Sequence, residues 1–253
     1  MNKYKINKLL FFIILFSATS LFVDLFNGRF AMVDFEVYYR AANRILSKER
    51  LYQIASDGHY LFHYSPNAGI FFIPFTLFKL NVAKYIYWLF LSVVFYYGVM
   101  LFSSLVYNMS NLPVSEKKKD WVIICSLLAV LSHIHLEFHL GQVNLLLLVM
   151  YIILIHALYN NKTVLFSFVL SISIFIKPFG FIFIPYLFVK RKHKEILHSI
   201  FFLLVFSFLP LLFYNSLDSY IDLYSSWYRE LNDEINAKQN ILSPHNHTIF
   251  SIV

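Results

Sequence analysis

Long stretches with no formal charge recur along this chain, and they have the length that crosses a membrane. A helix needs about 20 residues to span a hydrocarbon core of roughly 30 Å. Inside that core each backbone N–H and C=O needs a partner within the protein, and an α-helix supplies those partners itself. The sequence therefore predicts an integral membrane protein made of helices. The stretches that hold no Asp, Glu, Lys or Arg, or only one, cover residues 9–23, 85–107, 121–161, 163–189 and 196–217.

The composition agrees with this prediction. Hydrophobic residues make up 59% of the chain and charged residues 14%, whereas a soluble domain carries about 25% charged residues. The alternation of polar and apolar residues that is typical of an outer-membrane barrel is missing. The predicted fold class is all-α: a polytopic transmembrane bundle of about seven hydrophobic helical segments, in a single domain over residues 1–253.

The basic residues stand in short segments between the hydrophobic stretches. Lys3, Lys5 and Lys8 precede the first stretch, and residues 117–119 and 190–194 separate later ones. Cytoplasmic loops carry such an excess of Lys and Arg. The net charge of +7 therefore predicts a multi-pass protein of the cell membrane in contact with membrane lipids, and it does not indicate a nucleic-acid partner.

Two topologies fit this pattern, because an even number of spans must separate the basic ends 3–8 and 190–194. In one, 68–80 is a full span and 163–189 is a single helix kinked at Pro178. In the other, 68–80 is re-entrant and 163–189 is a tight hairpin. Both place two polar loops, 27–66 and 215–248, on the external face. The hydrophobic segments are predicted at residues 9–26, 68–80, 84–107, 121–138, 142–160, 163–189 and 195–214.

The first polar loop has the residue types of a catalytic surface. Asp34 and Glu36 follow a transmembrane helix closely, so they are expected near the membrane surface, where a carboxylate can accept a proton from a hydroxyl group. Tyr38 and Tyr39 offer flat rings that are suited to contact with sugars, and Arg40 can pair with a phosphate. The alternative is an amphipathic helix at the interface whose charges are only solvated.

A second group of polar residues interrupts the hydrophobic stretch 121–161. His133 and Glu137 share one face of a helix, while His135 and His139 share another. The residues that could bind a metal ion are thus divided between two faces of the helix. A polar helix end that faces water is therefore favoured over a metal site.

Three further sets of polar residues adjoin hydrophobic segments. Gln142 and Asn144 offer amide groups that can bind sugar hydroxyls or cap the next helix. Lys177 lies within a hydrophobic stretch, where an ionisable residue is a functional candidate by default, although a lysine that snorkels to the surface is the alternative. The segment 243–248 holds His and Asn side chains that can bind a phosphate or cap a helix.

Residues 249–253 look like the first turn of another helix, which leads us to expect the N-terminal part of a longer protein.

Taken in order, these segments resemble glycosyltransferase family 87, whose members are polytopic enzymes of the GT-C class that use polyprenyl-phosphate sugars. The resemblance extends from about residue 10 to residue 253. No glycine-rich nucleotide loop stands in the sequence, and the family does not need one. The matching residues are Asp34 with Tyr38-Tyr39-Arg40-Ala41, Leu51-Tyr52, Tyr64-Ser65-Pro66, Gly141-Gln142-Val143-Asn144, Ile176-Lys177-Pro178 and Asn246-His247-Thr248.

The resemblance implies that Asp34 is the general base and that the sugar, typically mannose, leaves its polyprenyl phosphate with inversion. The acceptor is expected to be a lipid or a glycan, with no cofactor and no metal ion. The alternative is a non-enzymatic membrane protein, such as a lipid-linked saccharide flippase or a polymerase-associated subunit, whose polar residues should gather at mid-membrane. The residues expected to bind the sugar or the phosphate are Tyr38, Tyr39, Arg40, Tyr64, His139, Gln142, Asn144, Lys177, Asn246 and His247.

Overall fold

The structure, a computed structural model, describes residues 8–52, 57–58, 61–110, 116–214 and 216–238. Within these ranges every regular element is helical, which confirms the predicted all-α class. Short 3₁₀ turns at Ile73–Leu77, Pro178–Ile182 and Leu209–Leu212 join or extend the helices. The α-helices are α1 (Lys8–Phe26), α2 (Val33–Ser47), α3 (Pro66–Phe71), α4 (Leu80–Ser110), α5 (Glu116–Ala129), α6 (Leu131–Leu140), α7 (Asn144–Tyr159), α8 (Thr163–Ile176), α9 (Phe183–Val189), α10 (His193–Ser207) and α11 (Leu217–Lys238).

Three helices of the described part are long and apolar enough to cross a membrane. These are α1, α4 and α10 extended to Leu212, and the bent pair α5–α6 makes a fourth if it counts as one span. The axes of that pair meet at 66°. The segment predicted at 68–80 is no such span, because α3 has only six residues before a 3₁₀ turn that begins at Ile73.

The stretch 163–189 is folded as a hairpin, so the structure has the second of the two alternatives for this segment. Phe166 of α8 contacts Phe183 of α9, and Gly180 lies against Leu170 and Ser173, so the two limbs run antiparallel. Lys177 is extended, with φ −144° and ψ 135°, as expected of a residue that precedes proline. Lys177 therefore lies at the tip of the hairpin and not at the middle of a span.

Serine side chains allow α8 and α10 to pack closely. Ser167 donates to the carbonyl oxygen of Glu195 at 3.0 Å, and Ser171 donates to that of Ser199 at 3.2 Å. Small residues at such an interface let helix backbones approach, and their hydroxyls bond across it. From the first pair to the second, the residue number increases by four in both helices, so α8 and α10 run parallel. The return limb of the hairpin, residues 178–189, connects them along the chain.

Both segments that were predicted as polar loops contain a helix. In α2, Phe35, Tyr38, Ala42 and Ile45 recur at helical spacing and are buried, so packing of this face stabilises the helix. In the second segment α11 runs for 22 residues. The first segment thus contains the amphipathic helix that the sequence analysis gives as the alternative, and the second contains a helix as well; their position on the external face stays a prediction.

Candidate active site

A chain of hydrogen bonds joins three segments that lie far apart in the sequence. Lys177 Nζ donates to Asn144 Oδ1 at 2.7 Å. The Asn144 amide donates to the side-chain oxygen of Gln142, and the Gln142 side chain bonds the Asp34 carboxylate. The beginning of α2, the turn between α6 and α7 and the tip of the α8–α9 hairpin thus meet at one place.

Two tyrosines and a second carboxylate complete this place. The Tyr38 and Tyr64 hydroxyl groups are hydrogen-bonded at 3.0 Å, and Lys177 Nζ lies 5.7 Å from the centre of the Tyr64 ring. Glu137 Oε1 accepts from the Asn144 amide at 3.2 Å. We call this group the polar cluster; its members are Asp34, Tyr38, Tyr64, Glu137, Gln142, Asn144 and Lys177.

Gly141 fixes the turn that carries Gln142 against α2. Its φ of +69° lies in the left-handed region, where it ends α6, and its amide bonds the carbonyl oxygen of Phe138. A Cβ at this position would lie 2.8 Å from the Cβ of Phe35. Only glycine meets both demands, the backbone conformation and the close approach.

Met32, whose side chain also packs against Gly141, has a left-handed backbone as well. Met32, which precedes α2, has φ 44° and is fully buried. A side chain larger than Asn or Asp rarely adopts this conformation, and such strain persists only where the surrounding packing imposes it. The contact between Met32 and Gly141 therefore fixes the position of Asp34 relative to Gln142.

Tyr39 and Arg40, both predicted as substrate-binding residues, lie away from the polar cluster. At 100° per residue, Tyr38 follows Asp34 on one face of α2, while Tyr39 and Arg40 turn to other faces. The Tyr39 hydroxyl donates to the carbonyl oxygen of Phe78 at 2.8 Å. Arg40 bonds Glu36 at 2.6 Å, and Lys84 bonds the other oxygen of that carboxylate at 3.0 Å, so these charges join α2 to α4.

His139, another predicted site residue, faces α1 and not the polar cluster. Its Nδ1 lies 3.1 Å from the Asp24 carboxylate, and His135 Nε2 lies 3.7 Å from the same oxygen. The two faces of α6 are thus separated as the sequence predicts, with His135 and His139 on one and Glu137 on another. The described part of the chain contains no group of three or more side chains suited to hold a metal ion.

Glu137 is the member of the polar cluster that the sequence reasoning missed as a site residue. It is the only formal charge in residues 121–161, as Lys177 is in residues 163–189. Two lone, opposite charges in neighbouring apolar stretches are a signal that they lie close together, and the structure joins both to Asn144. The predicted residues Asn246 and His247 lie outside the described ranges.

The charge balance of the polar cluster is one ammonium group against two carboxylates. Partial burial raises the pKa of Asp34 above its usual value, and the hydrogen bond with Gln142 and the charge of Lys177 offset part of this rise. Burial disfavours the charged form of a carboxyl group, whereas a donated hydrogen bond or a nearby cation favours it. Asp34 is therefore a carboxylate with an increased affinity for a proton.

An apolar groove of about 620 Å³ leads away from the polar cluster between α4, α5 and α7. Glu137 and Asn144 are among its lining residues, and its α4 wall reaches from Phe95 to Tyr107, a length of about 18 Å at the rise of an α-helix. The rest of its lining is almost entirely hydrophobic. One groove therefore joins a long apolar surface to a charged end.

The comparison with protein families gives one match. The profile of glycosyltransferase family 87 matches residues 62–249, which are 188 of the 253 residues. This range includes Tyr64, Glu137, Gln142, Asn144 and Lys177, while Asp34 precedes it. No curated protein and no solved structure matches the chain.

Proposed function

Because the chain belongs to glycosyltransferase family 87, we propose that it transfers a sugar, expected to be mannose, from a polyprenyl-phosphate donor to a hydroxyl group of a lipid or glycan at the external membrane face. The observation that carries this proposal is the hydrogen-bonded chain from Lys177 through Asn144 and Gln142 to Asp34. It sets a cation beside a base of raised proton affinity, which are the two groups that the reaction requires.

In the proposed reaction Asp34 takes the proton of the acceptor hydroxyl. The acceptor oxygen then attacks C1 of the sugar from the side opposite to the phosphate, and the bond between C1 and the phosphate oxygen breaks with inversion. Lys177 Nζ makes one described hydrogen bond, to Asn144, and an ammonium group has three donors. With respect to the described residues, two donors are thus left for the leaving phosphate.

The charges of this step balance within the site. The leaving phosphate gains one negative charge while Asp34 becomes neutral by protonation. The net charge of the polar cluster and its substrates is therefore the same before and after transfer. Such compensation limits the electrostatic cost of a reaction at a site whose charged side chains are partly buried.

The apolar groove supports a lipid-linked donor. A polyprenyl tail that lies along α4 and α7 leaves its phosphate at the Asn144 end, next to Lys177. The position of the polar cluster also distinguishes this function from a flippase. A flippase needs polar side chains along a path through the membrane, whereas here they meet at the hairpin tip beside α2.

The first test is sugar transfer in membranes that contain the protein, from a panel of radiolabelled polyprenyl-phosphate sugars. Ser103 lines the groove and Ser104, the next residue of α4, does not. We expect Ser103→Trp to raise the KM for a long-chain donor more than tenfold, since displacing only two methylene groups costs about 1.6 kcal/mol. A donor with a ten-carbon tail should be used equally well by the variant and the wild type.

Ser104→Trp adds the same bulk one position away and serves as the control, with an unchanged KM for both donors. If the two variants have equal KM values for the long-chain donor, the tail of the donor does not lie in the groove. Absence of transfer from every polyprenyl-phosphate sugar, with transfer from a nucleotide sugar, would refute the donor class itself.

The acid limb of the pH profile tests the role of Gln142. A base acts only when it is ionised, so transfer should fall as the pH decreases through the pKa of Asp34. Gln142→Leu removes a hydrogen bond that stabilises the carboxylate, which raises the pKa of Asp34 further. We expect the acid limb of kcat to move to higher pH in this variant.

Tyr39→Phe is the matched control for this measurement, because the Tyr39 hydroxyl bonds Phe78 and lies away from Asp34. Its acid limb should coincide with that of the wild type. If the acid limb of kcat lies at the same pH in Gln142→Leu and in the wild type, this limb does not reflect the ionisation of Asp34.

A further inference from the structure

Helix α11 has two opposite faces of contrasting chemistry. Leu217, Ile221 and Tyr228 lie within about 40° of one another around the helix, and their exposed fractions are 67%, 60% and 71%. An exposed apolar face on a membrane protein is suited to contact with lipid. The opposite face carries polar side chains at helical spacing, namely Ser219, Asp222, Ser226, Arg229 and Asp233.

This polar face borders a cleft of about 550 Å³, and Asp222 and Arg229 on it are exposed. The far wall of the cleft is residues 48–52, which follow α2, together with Tyr214. The polar face and the segment after α2 thus form the two walls of an open cleft, in which polar side chains from both walls converge. A few convergent polar groups are what fixes the orientation of a bound ligand.

Aromatic side chains hold α11 in this orientation. The hydroxyl groups of Tyr220 and Tyr224 donate to the carbonyl oxygen of Ser207 at 3.1 Å and 3.0 Å. Trp227 Nε1 donates to the carbonyl oxygen of His63 at 3.2 Å. The helix is therefore fixed at two places, and the cleft is a stable feature of the fold.

One wall of the cleft adjoins the polar cluster. Tyr52 lines the cleft, and its hydroxyl donates to the carbonyl oxygen of Tyr64 at 2.7 Å. The side chain of Tyr64 lies between Tyr38 and Lys177 in the polar cluster. Tyr52 and Tyr64 therefore connect the wall of the cleft with the polar cluster.

The side chains of the cleft select for a neutral ligand with many hydroxyl groups. Among the lining residues that the structure describes, Lys48, Arg50 and Arg229 contribute three positive charges, against four carboxylates from Glu49, Asp222, Glu230 and Asp233. A polyanion would meet these carboxylates, and an apolar chain would strip water from all seven charges. Sugar hydroxyls both donate and accept, so they can bond guanidinium and carboxylate groups together, and tyrosine rings can pack against sugar faces.

We propose that this cleft binds a neutral oligosaccharide part of the acceptor, beyond the sugar or headgroup that carries the reacting hydroxyl. The inference rests on the proposed function and narrows it: the acceptor is a saccharide chain rather than a single small alcohol. We expect Arg229 and Asp222 to make the main contacts, since both line the cleft and their side chains, 3.5 Å apart, are about two-thirds exposed.

Binding can be measured without any donor. The protein in lipid nanodiscs is mixed with neutral tetrasaccharides of mannose, glucose or galactose, and saturation-transfer NMR detects the bound sugar. We expect a signal from at least one tetrasaccharide with the wild type, and loss of that signal in Arg229→Ala and in Asp222→Ala. The corresponding monosaccharide should give little signal with any of the proteins.

Asp218→Ala is the matched control, because Asp218 lies one turn before Asp222 and does not line the cleft. It should bind like the wild type, and thermal unfolding should be the same for all three variants. Undiminished signals in both cleft variants, no signal from any neutral tetrasaccharide, or binding only of a sulfated tetrasaccharide would overturn the inference.

The two proposals fail in different ways. A wild type that transfers sugar from a polyprenyl phosphate but binds no tetrasaccharide refutes the cleft alone. A wild type that binds a tetrasaccharide through Arg229 but transfers from no polyprenyl-phosphate sugar refutes the proposed donor and keeps the saccharide site.

Discussion

Asp34→Asn is expected to lower sugar transfer by about 10²–10⁴-fold, the usual contribution of a general base. Asparagine has the shape of aspartate and can still bond Gln142, but it cannot take the proton of the acceptor hydroxyl. The loss should appear in kcat under single-turnover conditions, with the KM for the donor little changed. Expression and thermal unfolding in detergent should match those of the wild type.

Glu36→Gln makes the same change of a carboxylate to an amide two residues further along α2. Glu36 bonds Arg40 and Lys84 and lies away from the polar cluster, so transfer per folded molecule should be unchanged. If Asp34→Asn transfers at the wild-type rate, Asp34 is not the base. Glu137, the other carboxylate of the polar cluster, is then the residue to replace.

Lys177→Met is expected to weaken the interaction with the donor phosphate by about tenfold to 150-fold. Hydrogen bonds to charged groups contribute about 1.5–3 kcal/mol each, and Met preserves the length of the side chain without its charge. The measurement is displacement of a radiolabelled donor by polyprenyl phosphate. Uncharged polyprenol should compete equally well in the variant and the wild type, since only the contact with phosphate is lost.

Lys190→Met is the control for this experiment. Lys190 follows the return limb of the same hairpin, at the end remote from the tip, so its replacement should leave competition by polyprenyl phosphate unchanged. A reduction that is equal in the two lysine variants would indicate a general effect of surface charge and would contradict a phosphate contact at Lys177.

Much of the helical framework follows from the sequence, because uncharged stretches of this length have few alternatives in a membrane. Helix α1 begins at Lys8 and ends at Phe26, close to the predicted 9–26. The meeting of Asp34, Gln142, Asn144 and Lys177 was also expected, from the order of weak motifs that the family shares. Local periodicity contains no information on the long-range contacts that join them.

Proximity in the sequence and residue type place Tyr39, Arg40 and His139 with Asp34, whereas helical rotation turns their side chains to Phe78, Glu36 and Asp24. Over residues 33–47, the 100° rotation per residue of a helix separates Tyr38 from Tyr39. The tip of the hairpin could not be placed from hydropathy, since a kinked span and a hairpin have the same apolar profile.

The hairpin of α8 and its return limb has a consequence for biogenesis. With 14 residues in α8 and 12 from Pro178 to Val189, neither limb has the length to enter a bilayer alone. We therefore expect the two limbs to leave the translocon together, with Lys177 at the turn that enters the membrane first. Moving a lysine into the membrane centre costs about 2.5–3.5 kcal/mol on the insertion scale, which the apolar limbs offset. We therefore expect that a charge placed within either limb would block insertion of the hairpin and prevent the contact between Lys177 and Asn144.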